Sequence, residues 1–420
     1  MDSEFALPYG DTHLNVRVPE KNLAFVLEPR HAPGLRDEAA AVTAALRNPI
    51  GQGPLVEKVR ATDEVVVIVT DNTRACPDDR LLPPILAEME RVVRREQITI
   101  VVALGLHPPL DRAELQQLLG PDIVAQYRVV NHDPSCVVNI GTTSRGTPVD
   151  INPIVVNADF RLSTGFIEPH FFAGFSGGRK SIAPGVFGRN SAYVNHGYRM
   201  IADPRARAGV LAGNPIHEDM VEQARLAGLD FVVNVLLNQH KEITDVFAGD
   251  LVAAHEAGCE AAREIAGARA PHRVDITITT NSGAPLDLDL YQTVKGMDGA
   301  SLITRDGGII IIASSCAAGT GPQSFLDVHR SCVNPIEVMQ KVRREEPLGV
   351  QWQNQILARI QMRNHVMLCS ELPDDVVRGM WIEPVHDVNA AVAEALACMG
   401  PEAEIAVMPE GPLVLPLLDL

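Results

Sequence analysis

The chain has 420 residues, 46% hydrophobic and 21% charged, with a formal net charge of −17. That length predicts two domains and the apolar fraction suffices for large cores, while the acidic balance argues against sequence-independent binding to nucleic acid or anionic membrane, which need a basic face. Seven scattered cysteines without C-x-x-C spacing, no basic-then-apolar leader and no apolar run of the ~18 residues a membrane span needs predict a cytoplasmic protein without a disulfide frame or a membrane partner.

In chain order, residues 65–70 (V-V-V-I-V-T) and 98–103 (I-T-I-V-V-A) read as buried strands. Between them, residues 82–95 carry helix-spaced apolar positions and a basic end that suits the helix dipole. Residues 111–119 form a second helix, with Asp111 as N-cap and Glu114 at the capping-box position. A strand is expected over 160–167, a helix from Asn214 with Pro215 first and Gly228 as its stop, a strand over 231–237 and a helix over 250–266. Residues 266–273 read as a linker, after which strands (275–280, 309–313, 365–370, 404–408) alternate with helices (299–305, 336–344, 353–363, 388–399). The pattern predicts an α/β protein of two domains with mostly parallel sheets, residues 1–268 and 274–400.

Ligands of such sheets bind beyond the carboxyl ends of the strands. Asp71-Asn72-Thr73-Arg74 follows the first strand, Leu104-Gly105-Leu106-His107 the second, and Asn281-Ser282-Gly283 the first strand of the second domain. The third strand leads into residues 165–186, G-F-I-E-P-H-F-F-A-G-F-S-G-G-R-K-S-I-A-P-G-V, which set His170, Arg179 and Lys180 among glycines and apolar residues. Each residue alone has a plain structural role open to it. Asp71 can cap a turn, His107 can be a structural histidine, Arg74 a surface ion pair, Glu168 a solvated carboxylate, and Phe171-Phe172 and Trp352 packing.

Three functional readings compete. Residues 174–181, G-F-S-G-G-R-K-S, fall one glycine short of a phosphate loop, with Arg179 at the position where backbone must wrap a phosphate. A mononuclear zinc hydrolase would draw on His107, His170 and His196, which sit on separate segments without H-x-x-x-H spacing. A non-catalytic metal or cofactor binder would use Lys180 and His196 and leave the other histidines idle.

The central stretch, together with D-N-T-R, A-L-G-L-H, V-N-H, G-N-P-I-H-E-D-M, V-F-A-G-D, Y-Q-T-V-K and the closing I-A-V-M-P-E-G-P, resembles the lactate racemase family that uses a nickel-pincer nucleotide, over nearly the whole chain. The resemblance implies a racemase or epimerase of a 2-hydroxy acid, with lactate as the default and malate or larger analogues as alternatives. It implies a pyridinium mononucleotide tethered through Lys180, with nickel held in its pincer and completed by His196. It makes His107 and His170 the acid/base pair and puts Asp71, Asn72, Thr73 and Arg74 at the cofactor, with Arg74 also on the substrate carboxylate. Tyr291, Gln292 and Lys295 would contact substrate. It further implies an active-site cleft between the domains, residues 401–420 packed back on the first domain, and partner enzymes that build the cofactor. The chemistry agrees: hydride removal from C2 needs an electrophilic sink, and a base on each side must serve the hydroxyl proton.

Overall fold

The structure, a computed structural model, describes residues 2–30, 32–344, 347 and 349–419. The chain divides into two compact units, residues 31–265 and residues 1–30 together with 266–420.

The first thirty residues belong with the C-terminal unit, a difference from the expected 1–268 domain. β1 (Asp2–Tyr9) and β2 (Thr12–Pro19) form an antiparallel hairpin, and β3 (Leu23–Val26) runs parallel to β19 (below) at the edge of that unit's sheet. The physical cause is the apolar L-A-F-V run, which covers an edge that would otherwise expose unpaired backbone.

Residues 31–265 build a six-stranded sheet from β4 (Val65–Val69), β5 (Ile98–Val102) and β6 (Arg128–Asn131), a separate hairpin of β7 (Val138–Thr142) and β8 (Pro148–Ile151), then β9 (Phe160–Phe166). A two-residue pair, β10 (Pro169–His170) with β11 (Gly174–Phe175), follows, and β12 (Phe231–Leu237) and β13 (Ile243–Gly249) complete the sheet in the order β13-β12-β9-β4-β5-β6. All pairings in it are parallel except β12 with β13. Every residue of β4 and β5 is buried, as central parallel strands covered on both faces require.

The expected linker contains β14 (Gly267–Ala270), which pairs with the last strand, β20 (Leu415–Leu418). Between them lie β15 (Val274–Thr280), β16 (Thr304–Ala313), β17 (His365–Cys369), β18 (Glu383–Val385) and β19 (Ile405–Met408), an all-parallel sheet in the order β18-β17-β16-β15-β19-β3. The closing segment pairs through β19 with β3, which the sequence reading counted in its first domain, and through β20 with β14, and all of these strands belong to this unit.

Two helices differ from expectation. The first spans Asp78–Met89, starting before its Pro83 and Pro84, because Asp78 is anchored by two neighbouring strands. The second spans Leu290–Ile303 rather than 299–305, and its Gly296 sits where a Cβ would come within 2.5 Å of the Thr280 carbonyl. Among the described residues no helix is long and apolar enough to cross a membrane.

Candidate active site

The end of β4 is set by a buried carboxylate that sequence reading missed. Asp78 accepts the Thr70 hydroxyl at 2.7 Å, the Thr70 amide at 3.2 Å and the Thr164 hydroxyl at 2.5 Å, so it ties the ends of β4 and β9 to the start of its own helix. Burial pushes its carboxyl up to about 6 despite these hydrogen bonds. One of its partners, Thr164, lies 86 residues away, and a lone Asp carries no local sign of it.

Asp71, on the loop this anchor holds, is buried and both caps a turn and orients a histidine. Its Oδ1 accepts the Thr73 hydroxyl at 2.7 Å, and its Oδ2 lies 2.5 Å from His107 Nδ1. Burial acts to raise the Asp71 pKa, but the hydrogen bond and charge of His107, then Arg74 and Thr73, outweigh it and hold the carboxyl below its usual value. A carboxylate only accepts, so His107 Nδ1 carries the proton and Nε2 is left with its lone pair. The His107 side chain is half-exposed, so that lone pair can meet a ligand. Arg74 comes within 4.0 Å of Glu168, while Asn72 and Thr73 face solvent.

The loop carrying His107 is locked to the central stretch. The Gly105 amide donates to the Gly185 carbonyl at 2.9 Å, and the Gly185 amide to the Lys180 carbonyl at 3.1 Å. Gly105 has φ +58, and a Cβ there would lie 3.2 Å from the Pro184 carbonyl, so the close approach needs glycine.

Within residues 165–186, Phe172 is the hub. Its ring centroid lies 4.5 Å from His170 and 5.0 Å from His196, both edge-on, and 5.9 Å from Lys180 Nζ. The sequence reading gave Phe172 only a packing role; the structure gathers three candidate residues around it. The carbonyl of Phe172 accepts from Asn214 Nδ2 at 2.9 Å, and Asp219 accepts from Asn195 Nδ2 at 2.6 Å, one residue before His196. The G-N-P-I-H-E-D-M turn thus braces both walls.

The two histidines of this cluster are buried. Burial, then the charge of Lys180, pushes His196 down to about 3, so its imidazole is neutral at physiological pH and its nitrogen is suited to a metal. His170 Nδ1 accepts the Ala173 amide at 3.3 Å, so its neutral ring carries the proton on Nε2.

Two rival readings fail here. Arg179 is fully buried, and its guanidinium fills the interior of the glycine loop, where the carbonyls of residues 173, 175, 176 and 177 converge on it. A phosphate cradle needs converging N–H groups, so the P-loop reading is corrected. Among the described residues no three His, Cys, Asp or Glu side chains are grouped to hold a metal ion, which removes the three-histidine zinc site.

In the other unit, Tyr291, Gln292 and Lys295 lie, partly buried, on the first turns of the helix Leu290–Ile303. Asp289 caps that helix by accepting the Gln292 amide at 2.7 Å, and the Trp352 indole donates to the Tyr291 hydroxyl at 3.0 Å. Trp352 is thus a buried residue at the start of the helix Gln351–Gln361 that is also fastened to Tyr291.

Residues 9–209 match the family model described as lactate racemase N-terminal domain, and residues 270–415 that of the lactate racemase C-terminal domain. The lactate racemases of Thermoanaerobacterium thermosaccharolyticum and Lactiplantibacillus plantarum are each 37% identical over 414 residues, covering 96% of this chain and 97% of theirs. The solved lactate racemase apoprotein from T. thermosaccharolyticum superposes with a TM-score of 0.94 at 36% identity, covering 99% of this chain and 100% of that one. A Thermotoga maritima protein, 16% identical, shares the fold with a TM-score of 0.68 over 93% of this chain and 100% of that one.

Proposed function

Because the chain belongs to the lactate racemase family of isomerases, we propose that it inverts C2 of a 2-hydroxy acid, with lactate as the first substrate to try. We infer that Lys180 would tether, and His196 would ligate, a nickel-pincer nucleotide, which would supply the hydride acceptor for this inversion. The observation that carries this reading is the convergence of His170, Lys180 and His196 on Phe172, in the same unit as the Asp71–His107 pair.

The residues fit the cofactor. The neutral His196 imidazole and the Lys180 amine both lie at Phe172, and no protein cluster of three donors competes for a metal among the described residues. A metal at His196 would draw its remaining donors from a chelating ligand, as the planar sulfur/carbon set of a nickel pincer supplies. When bound, the cofactor supplies the electrophilic carbon that accepts hydride.

The chain's own residues handle the proton and the carboxylate. Asp71 holds the His107 proton on Nδ1, which leaves Nε2 to take the substrate hydroxyl proton. His170 offers its Nε2–H to the oxygen on the other side. Arg74 supplies a fork for the carboxylate, and Asn72 and Thr73 accompany it at the cofactor. The substrate contacts that family membership gives to Tyr291, Gln292 and Lys295 are part of the proposal. So are residence in the cytoplasm and maturation by cofactor-building enzymes.

The test is intact mass and peptide mapping of chain produced alongside those enzymes. A nucleotide-sized adduct on Lys180 is expected, and its absence would sink the cofactor assignment. A panel of single-enantiomer 2-hydroxy acids followed by circular dichroism then identifies the substrate.

A further inference from the structure

Arg179 is the residue that a phosphate loop would replace with glycine, and the structure gives it a task of its own. Its Nη2 donates to the carbonyls of Ala173 at 2.7 Å and Phe175 at 2.8 Å. Its Nη1 donates to those of Gly177 at 3.2 Å and Ser176 at 3.4 Å and lies 2.8 Å from His255 Nε2. His255 Nε2 stands between the Arg179 guanidinium and the Ser176 carbonyl, 2.9 Å away, and burial and then the Arg179 charge push that ring well below its ordinary value, so it is neutral. Burial lowers Arg179 itself to about 10, so it remains a cation at neutral pH, and no carboxylate among the described residues pairs with it. Cys259, beside His255, is pushed up to about 12 by burial and stays a neutral thiol.

A buried cation satisfied by carbonyl dipoles dictates the path of the backbone that supplies them. The wrapping is tight: a Cβ on Gly174 (φ +81) would stand 2.3 Å from the Val210 carbonyl, and one on Gly178 (φ +54) 2.7 Å from the His255 ring. Lys180 is the next residue in the chain. Ala173, whose carbonyl Arg179 holds, donates its amide to His170 Nδ1. One side chain therefore touches both ends of the loop that presents the tether and one of the two bases.

We propose that Arg179 is a positioning residue, the mould around which residues 173–178 are wound so that Lys180 and His170 face the same ligand. The proposal rests on the functional reading for what Lys180 and His170 do, but the loop geometry can be tested without it. Amide hydrogen exchange and thermal melting of the apoprotein would compare wild type with Arg179→Lys, which keeps the charge and loses the planar fork, and with His255→Ala. Peptide mapping after maturation would read the fraction of chains modified at Lys180.

The expected result for Arg179→Lys is melting close to wild type, exchange at residues 173–178 faster by roughly a hundredfold, as for a lost charge-assisted hydrogen bond, and unchanged β4 and β5. Modification at Lys180 should fall about tenfold or more, because a small misplacement of a reacting group is costly. His255→Ala should show the same pattern, weaker. Wild-type exchange and modification in Arg179→Lys would overturn the proposal, as would faster exchange spread evenly through the sheet. If Arg179→Lys does not fold, unchanged loop exchange in His255→Ala overturns it. A wild-type chain with no Lys180 adduct would sink the cofactor reading while the exchange result still decides the role of Arg179.

Discussion

His107 and His170 are assigned matching jobs and are backed by opposite chemistry. His107 is half-exposed and gives its Nδ1 proton to a buried carboxylate, whereas His170 is buried and receives a backbone amide at Nδ1. The carboxylate stabilises a charged imidazolium, so His107 can take a proton at Nε2 without rearrangement. A charged His170 would set an Nδ1 proton against the Ala173 amide, so its ring must shift before it can take one. The lesson is that two bases serving mirror-image substrates need not be mirror images. On the proposed reading, His107 would be the ready base and His170 at rest a hydrogen-bond donor.

The largest expected effect comes from removing either ring. His107→Ala and His170→Ala should each lower turnover by about 10³ to 10⁴, with smaller changes in KM, measured by polarimetry from each enantiomer. Full activity in both variants would end the two-base account. Asp71→Asn tests the asymmetry directly, since an amide can present its N–H to Nδ1 and favour the wrong tautomer. A loss of about a thousandfold is expected, with His170 and the fold intact. Wild-type turnover in Asp71→Asn would make the two histidines equivalent.

The smallest effect concerns the anchor beneath Asp71. The folded pKa of Asp78 is raised to about 6, above its unfolded value near 3.8, so the folded state holds the extra proton between those values. Stability contributed by this group is thus greatest at low pH and falls as pH rises through about 6. Relative to Asp78→Asn, which does not titrate, wild type should lose up to about 3 kcal/mol between pH 4 and pH 7.5, read by denaturant unfolding. A difference that grows in the opposite direction would mean that the Thr70 and Thr164 hydroxyls hold Asp78 ionised, and the loop would need another anchor.

The strands at the centre of both sheets were legible because they are short runs rich in Val, Ile and Thr, as in β4, β5 and β15. The edges were not. β3 has four apolar residues, and its partner β19 lies almost the whole chain away. The helix Leu290–Ile303 was expected only over 299–305, and its Gly296 is there for close packing against Thr280. Strand-end logic singled out Asp71, His107, His170 and Lys180, which the structure places in one unit, because that logic needs only local position. Asp78, Asn214, Asp219 and His255 each also reach a partner more than twenty residues away, and Arg179 looked like a defect because its acceptors are backbone carbonyls. A buried polar network leaves no period or spacing in the sequence.

The central claim is that hydride, and not a proton, leaves C2 while the histidines handle the hydroxyl. Racemisation of one enantiomer of C2-deuterated lactate, in ordinary water with the matured chain, tests it most directly. The expected product keeps its deuterium at C2 in both enantiomers, because the hydride is returned without meeting solvent. Loss of deuterium to water in step with inversion would mean proton abstraction at carbon, and the account would be wrong.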